Sequence, residues 1–93
     1  MRAQRWAELL YAISNLIADE TGVAARLLTT RADAEAVARI ADERGVAAAQ
    51  HLPAFSTWRR EILGVIWERW LSGHLALVSD ATTPHGIRLV PTT

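Results

Sequence analysis

Apolar residues recur at helical spacing from the start of the chain. Trp6, Leu9, Leu10, Ile13, Leu16 and Ile17 fall on one stripe, with Glu8, Asn15 and Asp19 opposite. This pattern predicts a first helix over about residues 3–20. Gly22 follows as its stop, because glycine takes the left-handed conformation beyond a helix end without steric cost. Residues 23–28 predict one or two further helical turns. Thr29 or Thr30 then opens a second long helix, which Gly45 ends, and Thr30 with Asp33 three positions on resembles a capping box. That helix is alanine-rich and suits close approach of a neighbour. Residues 46–54 are ambiguous, with Pro53 as a breaker. Ser56 is a suitable N-cap for a third main helix over about 57–72, ending at Gly73. Trp58, Ile62, Ile66 and Trp70 stand four apart on it and predict the principal core face. Beyond Gly73 the period changes. Leu75–Val78 and Ile87–Val90 are short apolar runs separated by turn-forming residues, which predicts a C-terminal β-hairpin. A two-stranded ribbon is marginal by itself, so it must pack on the helices.

The expected fold is therefore mainly α: a small bundle of three main helices plus short turns, with a C-terminal β-hairpin. It forms a single domain over 1–93, helical over about 3–73, with the hairpin over about 74–91. The composition is 51% hydrophobic, enough for a core. A chain of this size buries roughly 60–65% of its unfolded surface. Cysteine is absent, which excludes disulfides, thiolate metal sites and cysteine nucleophiles. There is no apolar run near the ~20 residues of a membrane span. The N-terminus runs into a helical pattern rather than a signal peptide. A cytoplasmic protein with no membrane partner is the expectation.

Ten acidic residues balance ten basic ones, and every basic residue is an arginine. A dedicated nucleic-acid binder usually carries a basic excess, but net charge says nothing about a local patch. His51, His74 and His85 show no ligand spacing, and no metal or cofactor is expected. Asp33 and Glu35 share the Asp-x-Glu spelling of metal-dependent exonucleases. On a helix, however, two such carboxylates diverge by about 200°, and capping explains them. No nucleophile elbow or phosphate-cradling loop appears, so no catalytic residue is assigned and the chain alone is not expected to be an enzyme.

The segment Ser56-Thr57-Trp58-Arg59-Arg60-Glu61 is the most informative. It puts two arginines at a helix start, where the dipole disfavours positive charge. Such a break of a local rule points to a tertiary partner or to a function. Arg59 either pairs with Asp19 or Glu20 while stacking on tryptophan, or meets phosphate. Arg60 looks the more exposed of the two and is either structural or a phosphate contact. Arg26, Arg31 and Arg69 complete the candidate nucleic-acid contacts. Trp6, Trp58 and Trp70 are assigned to the core. Trp67 falls on the opposite side of its helix, near Leu71. These two residues mark a candidate interaction surface unless the hairpin covers Trp67.

Three stretches carry a family likeness. Residues 17–28, from Ile17 through the Gly22-Val23 turn to Leu28, form one. Thr30 to Ala38 forms another. The third joins Phe55-Ser56-Thr57-Trp58-Arg59-Arg60-Glu61-Ile62-Leu63-Gly64 to Leu71-Ser72-Gly73-His74-Leu75-Ala76-Leu77. Together they resemble the C-terminal HRDC-type (helicase and RNase D C-terminal) domain of bacterial ribonuclease D, over about residues 6–90. The glycine-rich helix-hairpin-helix turn of typical HRDC domains has no counterpart. The resemblance implies an HRDC-like helical bundle and a non-catalytic accessory role beside a 3′–5′ exoribonuclease. That role would be to help bind or position RNA such as tRNA precursors. The implied partners are RNA, bound weakly, and a nuclease catalytic domain in cis or in trans. The other reading of the residues is a protein-interaction or intramolecular docking module that does not touch nucleic acid.

Overall fold

The computed structural model describes residues 2–92 and is mainly helical with a C-terminal hairpin, as the periodicity predicts. Helix α1 spans Arg2–Thr21. It buries Ala7, Leu10, Ile13, Ser14, Leu16, Ile17 and Ala18. Each large aliphatic side chain taken fully out of water there contributes about 1.5–3 kcal/mol. Ser14 is tolerated among them because its hydroxyl donates back to the Tyr11 carbonyl at 2.6 Å. Gly22, at φ 77°, ends the helix as expected.

Helix α2 is one turn, Ala25–Leu28. Helix α3, Arg31–Arg44, opens with the anticipated capping box. The Asp33 amide donates to the Thr30 hydroxyl at 3.1 Å, and the Thr30 amide donates to the Asp33 carboxylate at 3.3 Å. The buried face of α3 is Ala34, Val37, Ala38 and Ala41. With so little side chain between them, α3 lies close along α1, and this is the most extensive helix pairing in the molecule. The ambiguous stretch resolves into two 3₁₀ turns, Val46–Ala49 and Pro53–Phe55.

The last helix, α4, runs over 57–71 without a break but is not uniform. Thr57–Arg59 is α-helical, Arg60–Gly64 is a π turn, and Val65–Leu71 is α-helical again. In the π turn the Val65 amide reaches back to the Arg60 carbonyl, five residues away instead of four. The wide turn coincides with a close approach. A Cβ on Gly64 would stand 2.7 Å from the Ala54 carbonyl oxygen and 3.0 Å from the Phe55 ring. Only glycine lets α4 lie this tightly on the turn before it.

The buried face of α4 is not the predicted one. Leu63, Gly64 and Trp67 are buried, Ile62, Ile66 and Trp70 are half-buried, and Trp58 is 45% exposed. There are two physical reasons. A count at 3.6 residues per turn does not carry across a π turn. The core is also defined by α1, which accepts Trp67 rather than the Trp58–Trp70 stripe: the Trp67 indole N–H donates to the Leu10 carbonyl at 3.0 Å.

Strands β1, Leu75–Ser79, and β2, Ile87–Pro91, pair antiparallel with Leu77 opposite Leu89. Leu75, Leu77 and Leu89 turn toward the helices. Asp80 organises the connecting loop. Its carboxylate accepts from the Thr82 amide at 2.9 Å and pairs with Arg88 at 2.9 Å. The bonds from Thr82, aided by Arg88, hold its carboxyl below the usual aspartate range. A depressed carboxylate supports the fold above its unfolded-state pKa, and that support is lost as pH falls through the lowered value. His85, in the loop, meets Asp19 at 3.0 Å and ties the hairpin loop to the end of α1.

Candidate nucleic-acid interface

The start of α4 forms an exposed shoulder beside α2. Pro53 and the 3₁₀ turn bring the chain to Ser56, whose hydroxyl donates to the Pro53 carbonyl at 2.8 Å rather than capping the helix. Thr57 then takes φ 51°. The left-handed region disfavours a β-branched residue, and the strain costs about 1–3 kcal/mol. The chain leaves this turn with Trp58 pointing into solvent.

Arg59 lies against that ring, its guanidinium 5.5 Å from the Trp58 centroid. Its Nε also donates to the Leu27 carbonyl at 3.3 Å. Leu27 itself is 54% exposed. For Arg59 the structural alternative is met only in part. The tryptophan stack is present, but the expected carboxylate pairing with Asp19 or Glu20 is not. Asp19 is engaged by His85. A guanidinium held by one carbonyl and one ring face retains N–H groups directed outward.

The other arginines divide. Arg26 is exposed on α2, next in the chain to Leu27. Arg60 is engaged with protein: it donates to the Gln50 amide oxygen at 2.6 Å and lies 3.9 Å from Glu68. Arg31 covers the Tyr11 ring at 4.6 Å. It lines a cleft of about 440 Å³ between α1 and α3 with Gln4, Glu8, Glu35 and Arg39, where both charge signs are present. Arg69 stands apart, near the hairpin end of α4, where the His74 amide binds its carbonyl. The five candidate arginines therefore do not form one patch. Arg59 meets the backbone of α2 beside Arg26, and the rest are dispersed.

The interaction-surface candidates also separate. Trp67 is fully buried, so it is not a contact residue, and α1 supplies its seat. Leu71 does reach a surface. It lines an apolar groove of about 510 Å³ with Trp6, Leu9, Trp70, Gly73 and residues 75–77 of β1. Sequence reasoning also misplaced Trp58, which it assigned to the core. One signal could have found it: a first-turn position, just after a proline-led turn, has few neighbours available to cover it.

Among the described residues, no group of three or more His, Asp or Glu side chains could hold a metal ion, and no helix is long and apolar enough to cross a membrane. Compared with known proteins, the chain matches no family model, no curated protein and no solved structure.

Proposed function

We propose that this chain is a non-catalytic accessory domain of a ribonuclease D-like 3′–5′ exoribonuclease, and that it helps bind or position RNA. The observation that carries the reading is the exposed Trp58 with Arg59 stacked on it and held by the Leu27 carbonyl. An exposed aromatic next to a cation suits an unpaired base and its phosphate. Every base has a π-face to stack, and the guanidinium supplies charge-assisted hydrogen bonds. The ribonuclease D context rests on the sequence resemblance, whose most specific segment is this same Trp58-Arg59-Arg60-Glu61 stretch. With zero net charge, affinity has to come from this local surface and is expected to be weak and salt-sensitive.

Fluorescence anisotropy of a labelled single-stranded RNA 12-mer, titrated with the chain at 20 and 200 mM salt, tests this. Binding that weakens at the higher salt and is lost in Arg59→Ala supports the reading. No binding at low salt and high micromolar protein overturns it. The groove around Trp6, Leu9, Trp70 and Leu71 supports a second reading, a docking surface for protein that does not depend on RNA.

A further inference from the structure

The two edges of the hairpin are not equivalent. The Thr92 amide donates to the His74 carbonyl at 3.2 Å, and the Asp80 amide donates to the Gly86 carbonyl at 2.8 Å. In an antiparallel ladder bonded pairs alternate, so Ala76–Val90 and Val78–Arg88 face inward between these two bonds. Leu75, Leu77 and Ser79 consequently turn their N–H and C=O groups away from β2, while Ile87, Leu89 and Pro91 face outward on the other edge. Pro91 has no N–H to offer there, which is one device by which native sheets refuse further strands. β1, Leu-Ala-Leu-Val-Ser, carries neither proline nor charge. The apolar groove lies directly alongside this unprotected strand, lined by Leu75, Ala76 and Leu77 on one side and by Trp6, Leu9 and Trp70 on the other. Leu9 is 40% exposed in it.

We propose that the β1 edge and its groove form a self-pairing surface. A second copy of the chain adds its own β1 antiparallel across a two-fold axis at Leu77 and completes a four-stranded sheet. Self-pairing fits the register. With the axis at Leu77, Leu77 faces its own copy and Leu75 faces Ser79, and every one of these residues has outward-directed backbone groups on both strands. No other two-fold register of this strand pairs as many of them. The side chains of Leu75 and Leu77 in the incoming strand fall on the helix-facing side of the sheet, over the groove floor. Charge permits it as well. The strand and the groove lining contain no charged side chain, so like charges do not face each other across this surface. This deepens the docking reading and is independent of RNA contact.

Sedimentation velocity on the full chain from 5 to 500 µM tests it, together with two variants. Ser79→Pro removes an outward N–H and leaves the ladder to β2 intact, as Pro91 does on the opposite edge. Leu9→Glu places a charge in the groove at an exposed position. A concentration-dependent dimer is expected, and each variant should weaken it at least tenfold while the far-UV circular dichroism and melting curve stay unchanged. Amide exchange of Leu77 should slow as concentration rises, whereas that of Ala76 should not change. A chain that stays monomeric to 500 µM overturns self-pairing, as does a dimer indifferent to both variants. The broader docking reading fails separately, if both variants leave association with a ribonuclease D nuclease domain intact.

Discussion

Trp58 and Trp67 share one helix and have opposite surroundings. Trp67 is enclosed by α1 with its N–H satisfied, on the far side of a π turn that fits only because residue 64 is glycine. Trp58 is exposed, follows a strained threonine and has a cation on its face. The same side chain therefore supplies cohesion at one end of α4 and an outward-facing ring at the other. Residue type alone does not decide between these roles. The neighbouring elements do.

Four substitutions probe this contrast. Trp67→Ala should have the largest effect, destabilising by about 3–5 kcal/mol in urea denaturation. That is much of the ~5–10 kcal/mol a domain this size commands. A loss under about 1 kcal/mol would mean that α1 does not enclose the ring. Gly64→Ala should cost about 1–3 kcal/mol, because the atom it would strike is backbone, the Ala54 carbonyl, and cannot swing aside. Thr57→Gly should act in the opposite direction. Relief of about 1–3 kcal/mol of left-handed strain, set against the roughly 1 kcal/mol entropy penalty of glycine, leaves a gain near 1 kcal/mol in the same measurement. Trp58→Ala should change stability least, within about 0.5 kcal/mol. It should nevertheless lower affinity for single-stranded RNA by roughly tenfold, the share expected of one base–aromatic stack. If Trp58→Ala instead unfolds the chain, the two ends of α4 are alike and the contrast fails.

The parts of the fold that were legible in the sequence are those governed by neighbours in the chain. The Thr30–Asp33 capping box, the stops at Gly22 and Gly45 and the turn cluster between the strands each act over a few residues, and each lies where the pattern put it. The face of α4 was not legible. It depends on where Leu10 and Phe55 lie in space and on a change of helical pitch that no periodicity announces. The candidate site was half legible for the same reason. The helix-start arginines were conspicuous because they break a local rule. That Arg60 would be taken up by Gln50 and Glu68, while Arg59 met the Leu27 carbonyl and no carboxylate, was decided by contacts beyond the three-to-four-residue reach of a local helix rule.

The bond from Trp67 to Leu10 also bears on the timing of assembly. It joins groups 57 positions apart, a wide loop to close before any contact rewards the closure. The pairing of α1 with α3 needs a shorter excursion and is expected to come first, leaving α4 to settle on a preformed helical pair. An interaction absent from the folding transition state governs the rate of unfolding, with little influence on the rate of folding. In chevron measurements, Trp67→Phe should therefore steepen escape from the native state while refolding proceeds at nearly its original pace. The clasp between α4 and α1 would then set how long the folded molecule lasts rather than how quickly it forms.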